Sequence, residues 1–333
     1  VSALVLILAD CPAPPLTTGD VAGWPRLAAW EQWLARATRT LLPQRDWRAW
    51  LQQRVGFAGT TGAADVIAAA LGRQHVLTPA GAQHYWLATP VHWTAGLDTV
   101  RLHPQGLLQL DVAEATQLVS DFGRVFVDSG WQLFVTGGRE LLLAGEPQED
   151  CDADDPALWC GLSPKAGMVR GSGAKALRQL GAEIEMWLYD HPVNRARDSS
   201  RMPTISALWL WGSGSAPLRT LPRAAAGLLQ ANDLYARSLW QLLNAPHAPL
   251  PTRWQALNSD ERQTIVIPWS GAHPASVVQE LEQQWIAPLI GDWSRGKLQS
   301  LDLVAGGVHY HLPRVARWRF WQRRRPWWET LLA

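Results

Sequence analysis

Ala3-Leu4-Val5-Leu6-Ile7-Leu8-Ala9-Asp10 is the stretch on which the reading of the fold turns. Its apolar run is far shorter than the about 20 residues a membrane helix needs, and it lacks the basic flank of a signal peptide. Val and Ile without polar alternation fit a strand buried on both faces at the centre of a parallel sheet. After Pro12, Pro14 and Pro15, two helical stretches follow. The first carries Trp30, Trp33, Leu34, Ala37 and Leu41 at spacings of three and four; the second starts from an N-cap at Asp46, carries Trp47, Trp50 and Leu51, and stops at Gly56. A loop with Gly59, Thr60, Thr61 and Gly62 leads into a short apolar helix, Ala64 to Leu71, that ends at Gly72. Strand, loop and helices in this order make an α/β beginning.

From about His84 the texture changes to short strands, predicted at Val100 to His103, Leu107 to Leu110, Trp131 to Val135 and Glu140 to Ala144. Between them Asp111 and Glu114 have capping-box spacing, and Val112, Ala115, Leu118, Val119 and Phe122 line one helix face. A solvated acidic loop (Glu146, Glu149, Asp150, Asp152, Asp154, Asp155) precedes an amphipathic helix from Lys175 to Tyr189. Ile205 to Trp211 is a second strongly apolar strand, and Gly212, Ser213 and Gly214 open a loop that returns the chain to the first sheet. Beyond it, helices are predicted at Ala231 to Leu243 and Ser276 to Ile290, and strands at Thr264 to Trp269, Ser300 to Val304 and Val308 to Leu312.

The composition, 333 residues with 47% hydrophobic and 18% charged, describes one large or two small soluble domains rather than a disordered chain. Tryptophan is in excess at 21 residues, and only three of the 30 basic residues are lysines. A net charge of +1 excludes a global nucleic-acid footprint, although Arg314, Arg317, Arg319, Arg323, Arg324 and Arg325 crowd the end. Three cysteines, Cys11, Cys151 and Cys160, without a CxxC pair argue against a disulfide framework or a structural zinc site and fit a cytoplasmic protein.

Several residues can carry chemistry. Asp10 stands at the carboxyl end of the opening strand, where α/β folds place ligands and where a hard divalent cation finds an oxygen. The densest polar group is His191-Pro192-Val193-Asn194-Arg195-Ala196-Arg197-Asp198, followed by Arg201. Its guanidinium forks match phosphate or carboxylate; the same residues also read as an exposed turn whose Asn and Asp cap the backbone. His92 is a candidate ligand or acid/base, or a packed histidine beside Trp93. His309 and His311 alternate on one strand and share a face, the start of a metal site with no third ligand visible nearby. The terminal arginines, with Arg323, Arg324 and Arg325 as the candidate partner-binding group, alternate with tryptophans that either grip a partner or anchor the segment to the body. No GxSxG, Walker A, GxGxxG or HExxH pattern occurs.

Taken in order, Leu4 to Asp10, Gly62 to Gly72, Tyr85 to Leu102, Trp131 to Ala144 and Asp190 to Gly214 resemble the archaeal-type branch of the cofactor-independent phosphoglycerate mutases, within the alkaline-phosphatase-like superfamily. The YWL-x-x-PVH, HPVN-x-x-R and LWLWG-x-G stretches resemble more closely the bacterial RpfE-type regulatory proteins. The resemblance implies a three-layer α/β core with an inserted smaller α+β domain, which places residues 1–83 and 205–333 in the core and 84–204 in the insertion. It also implies a two-metal phosphoryl-transfer site, with Mn or Mg as the divalent metal and a serine nucleophile. Asp10 matches the first metal-ligand Asp, but where the mutases have Ser before Asp this chain has Ala63-Ala64-Asp65. The later Asp-x-x-x-His and Asp-His metal motifs are missing as well. Asp10 and Asp65 are then vestigial metal ligands, and His92, His191, Asn194, Arg195 and Arg197 an anion-binding set. The expectation is a catalytically degenerate protein that binds a phosphorylated small molecule or a regulatory partner. The rivals are a divergent metal-dependent phosphomutase or phosphatase and an adaptor that uses the Arg/Trp end.

Overall fold

Ser2–Ala9 is a central strand, with Leu4, Leu6 and Ile7 fully buried. The computed structural model describes residues 2–11, 23–43, 46–56, 61–73, 84–96, 99–104, 107–146, 150–213, 226–254, 262–269, 274–319 and 321–331. The chain is mixed α/β and divides into two units, Val1–Ala58 with Leu221–Ala333, and Gly59–Thr220. The compact units divide at 58/59 and 220/221, and the boundaries drawn from the sequence are 83/84 and 204/205. Helix Ala63–Arg73 goes with the second unit, where its Ala64 N–H donates to the Gly212 carbonyl at 2.9 Å.

The first unit is built on a seven-stranded sheet in the order His247–Ala248, Leu228–Ala231, Gln263–Pro268, Ser2–Ala9, Leu298–Ala305, Val308–Pro313, Thr38–Leu41. The strands up to Leu298–Ala305 run parallel, and the last two are antiparallel additions. Leu4 pairs with Gln263 on one side and Leu301 on the other. One sheet face packs against helices Ala28–Arg36, Pro274–Leu281 and Ala287–Ser294. Trp30, Trp33, Trp285, Trp293 and Trp327 are buried there, which accounts for part of the tryptophan excess. Each brings a large apolar area together with an N–H that needs an acceptor; Trp30 donates to the Val278 carbonyl and Trp327 to that of Pro25. Helix Ala28–Arg36 has no side-chain cap of its own at Leu27. Glu282, at the start of the π-helical turn Glu282–Ile286, accepts from the Ala29 and Trp30 N–H groups at 2.9 and 3.0 Å instead.

Three local expectations are corrected here. The first helix stops at Arg36, and Thr38–Leu41 pairs with Val308–His311; two β-branched threonines and an open sheet edge outweigh the helical spacing of Ala37 and Leu41. Leu228–Ala231 is a strand, so the helix expected from Ala231 runs from Leu234, where Asp233 caps it by accepting from Ala236 N–H at 2.8 Å. In the second unit, residues 107–110 form no strand.

That second unit holds a four-stranded antiparallel sheet in the order Gln132–Val135, Leu141–Gly145, His84–Val91, Ala207–Trp211, and the hairpin Trp93–Ala95 with Val100–Leu102. Helices Val112–Val125 and Lys175–Tyr189 supply Leu118, Phe122, Leu180 and Ile184 to its core. The capping box forms in full: Asp111 accepts from Glu114 N–H, and Glu114 from Asp111 N–H. Trp86 and Trp211 are buried in packing, with the Trp211 indole donating to the Thr89 hydroxyl at 2.8 Å.

Candidate functional site

Asp10, in the first unit, adopts the left-handed region at φ 60°, turning the chain out of the strand. Its carboxylate oxygen lies 3.5 Å from the Arg48 guanidinium, and both side chains are buried. Arg48 comes from helix Trp47–Arg54, capped by Asp46 as expected, and stacks over the Trp47 ring at 4.6 Å. A guanidinium thus stands against the carboxylate that the resemblance assigns to a divalent metal. Asp65 lies in the second unit, in the first turn of Ala63–Arg73; Ala64 beside it is fully buried. A methyl side chain can neither accept a phosphoryl group nor ligate a metal. These residues do not fit the two-metal centre with its serine nucleophile.

The HPVN-x-x-R segment of the second unit forms helix Pro192–Ser199, and three of its polar side chains serve the fold. His191 is the N-cap: its Nδ1 accepts from Val193 N–H at 3.2 Å, and its Nε2 lies 3.1 Å from Asp121. Burial holds this ring below the usual histidine range, with Asp121 offsetting only part of the effect. Asn194 clasps two segments, donating to the Leu188 and Ile205 carbonyls at 2.7 and 2.8 Å and accepting from Ile205 N–H at 2.7 Å. Arg197 donates to the Pro203 carbonyl and to both Glu114 carboxylate oxygens, at 2.8 and 2.9 Å. Arg195 is exposed and 3.7 Å from Asp190. Of the anion-binding set drawn from the sequence, Asn194 and Arg197 spend these hydrogen bonds within the unit, and His191 spends its Nδ1 on the helix N-terminus. His92 Nδ1 contacts the Thr204 carbonyl at 2.8 Å, and its ring packs 5.4 Å from that of His103.

A further constellation lies on the added strands of the first unit. Val304 faces His309 and Asp302 faces His311 across the antiparallel pair, so Asp302 and both histidines share a sheet face. Asp302 Oδ1 is 2.8 Å from His309 Nε2 and 2.7 Å from His311 Nδ1, while Oδ2 accepts from Arg54 at 2.9 Å. Burial alone would raise the Asp302 pKa; hydrogen bonds from His309 and His311 and the Arg54 charge overcome it and hold the carboxyl below its ordinary range. Sequence reasoning paired the two histidines and missed Asp302. The available signal was Gly306-Gly307: a two-residue turn between strands fixes the register, and these glycines have φ 55° and 77°, the positive pair of a type I′ hairpin.

At the C-terminal end, Trp327 is fully buried and stacks on Trp24 at 5.1 Å, which anchors the segment as one of the two sequence readings held. Arg323, Arg324 and Arg325 are exposed, as are Trp318 and Trp321. None of the three cysteines is in a disulfide, and burial pushes the Cys11 thiol up to about 12, which suppresses its reactivity. No helix among the described residues is long and apolar enough to cross a membrane.

No protein-family model matches the chain, and no curated protein matches it. Two solved structures are similar in fold over most of its length. The cofactor-independent phosphoglycerate mutase from Thermoplasma acidophilum DSM 1728 is 14% identical, with 94% of this chain and 89% of that one covered and a TM-score of 0.39. The PH0037 protein from Pyrococcus horikoshii is 10% identical, with 94% and 87% covered and a TM-score of 0.47.

Proposed function

We propose that this chain is a phosphoglycerate-mutase-like regulatory protein of the RpfE type that has lost phosphoryl-transfer chemistry and acts in the cytoplasm by binding a phosphorylated small molecule or a regulatory protein. The Asp10–Arg48 pair carries the reading. A buried carboxylate beside a buried guanidinium is compensated in charge within the chain, and a divalent cation there would have to sit against the Arg48 charge. Ala63-Ala64-Asp65 supports it by leaving no hydroxyl at the position of the nucleophile. The test is turnover of 3-phosphoglycerate and of a chromogenic phosphomonoester by the full chain with Mn2+ or Mg2+. The expected rate is indistinguishable from that of Asp10→Ala. Metal-dependent turnover that disappears in Asp10→Ala would establish the rival, a divergent phosphomutase or phosphatase.

Exposed Trp318 and Trp321 beside Arg323, Arg324 and Arg325 favour a second reading, in which this end binds a protein or nucleic-acid partner. Because Trp327 is buried, deleting the segment would damage the core. Reversing charge at Arg323, Arg324 and Arg325 is the cleaner variant, and a salt-sensitive association that survives it sinks this reading.

A further inference from the structure

We propose that Asp302, His309 and His311 form a binding site for a borderline divalent transition metal, of the Zn2+, Co2+ or Ni2+ class, separate from the Mn or Mg centre implied by the mutase resemblance. Two imidazole nitrogens and a carboxylate oxygen converge: their ligand atoms all lie within 4.8 Å of one another. The oxygen-to-nitrogen separations of 2.8 and 2.7 Å compare with about 3.3–3.6 Å between neighbouring ligands on a tetrahedral metal bonded at about 2.0–2.2 Å. The site therefore needs the carboxylate and each ring to part by roughly half an ångström or somewhat more to admit an ion.

The surrounding residues aim the ligands. Arg54 holds Asp302 Oδ2 and so turns Oδ1 toward the two rings, the orienting role of an outer-shell partner. The Trp50 ring lies 4.9 Å from that of His309, and the Arg54 guanidinium lies over Trp50 at 5.5 Å, so the end of helix Trp47–Arg54 fixes both His309 and Asp302. The hairpin turn fixes the rest. Asp302 is only 3% exposed at its side chain while His311 is 43% exposed, which leaves a buried anchor and a solvent-facing side for entry and for water ligands.

Donor chemistry sets the metal class. Nitrogen ligands suit Zn2+, Co2+, Ni2+ and Cu2+, whereas Mg2+ and Ca2+ require oxygen shells. Each ring now directs to Asp302 the nitrogen that would bind the ion. Entry requires each ring to present a lone pair to the ion, its proton moving to the other nitrogen in a neutral ring or to solvent from a charged one. Three protein ligands with open positions are also the pattern of metal sites that exchange water or substrate.

The test uses the untagged full chain, stripped of metal and titrated with Co2+, whose visible absorption reports nitrogen coordination, and with Zn2+ by calorimetry. The expected result is one equivalent of either ion, unaffected by millimolar Mg2+, with affinity reduced at least tenfold in His311→Ala and in His309→Gln/His311→Gln. His311 is partly exposed, so the single variant should retain the parent circular dichroism and melting temperature and thereby separate ligand loss from unfolding. Asp10→Ala should bind as the parent does, which keeps this outcome distinct from that of the turnover assay. Absence of a one-to-one Co2+ or Zn2+ complex, or equal affinity in the double glutamine variant, overturns the proposal.

Discussion

The histidine hairpin of the first unit and the His191-to-Arg197 helix of the second both concentrate polar side chains, but they use them in different ways. On the helix, Asn194 and Arg197 reach backbone carbonyls, His191 caps its own helix, and Glu114 completes the charge pairing. In the hairpin the partners of Asp302 are all side chains, and one of them, His311, opens to solvent. Side chains that satisfy main-chain groups hold a fold, because nothing else in the interior can replace them. Side chains that satisfy one another at a solvent edge can exchange those partners for a ligand.

Mutations can break this contrast, and the largest effect belongs to the helix. Arg197→Met leaves the Glu114 carboxylate with the Asp111 N–H but without its charge partner and should destabilise the protein by about 3 kcal/mol in denaturant unfolding; a loss below 1 kcal/mol would remove the structural role. Asn194→Ala abandons three hydrogen bonds and should cost about 2–3 kcal/mol by the same measurement. Asp302→Asn keeps the shape and should cost less, about 1–2 kcal/mol, while changing the pH profile. Because Asp302 is held below the ordinary carboxylate range, its ionised form adds stability above that range, and this is lost as the pH falls through the folded value. The variant should accordingly show a flatter acid limb in its melting temperature. His191 acts at higher pH. Its folded value is depressed, so its contribution is full above the ordinary histidine pKa and declines as the pH falls through that value toward the folded one; His191→Asn, which retains a capping acceptor, should abolish that slope. The smallest effect is expected from Arg195→Ala, within about 0.5 kcal/mol of the parent, since its pairing with Asp190 is exposed.

Much of the scaffold was legible. The unbroken apolar run at Leu4 to Leu8 announced a doubly paired strand, Asp111 with Glu114 announced a capping box, and the alternation of His309 and His311 announced a shared face. What was not legible depended on partners distant in sequence. Thr38–Leu41 became a strand because the hairpin offered an edge. Asp302 joined the histidines through a register that needed the Gly306-Gly307 turn to be read as a hairpin rather than as a gap between strands. The HPVN-x-x-R stretch reads as an anion site, and equally as a fold-holding turn, because Arg and Asn have the same donors whether a phosphate or a carbonyl will meet them. Residue type fixes what a side chain can bind, and only the fold decides which acceptor is within reach.

The pairing of Leu4 with Gln263 and Leu301 has a consequence for biosynthesis. The opening strand emerges from the ribosome long before either neighbour exists, and the whole of the second unit is made while it waits. An apolar segment left without its sheet is a surface for chaperones and for aggregation. Glu282 delays matters further, since the helix after that strand obtains its N-terminal acceptor only when the late π-helical turn is in place. A nascent chain halted after Thr220 would therefore carry every strand of the second unit and a first unit still lacking most of its central sheet.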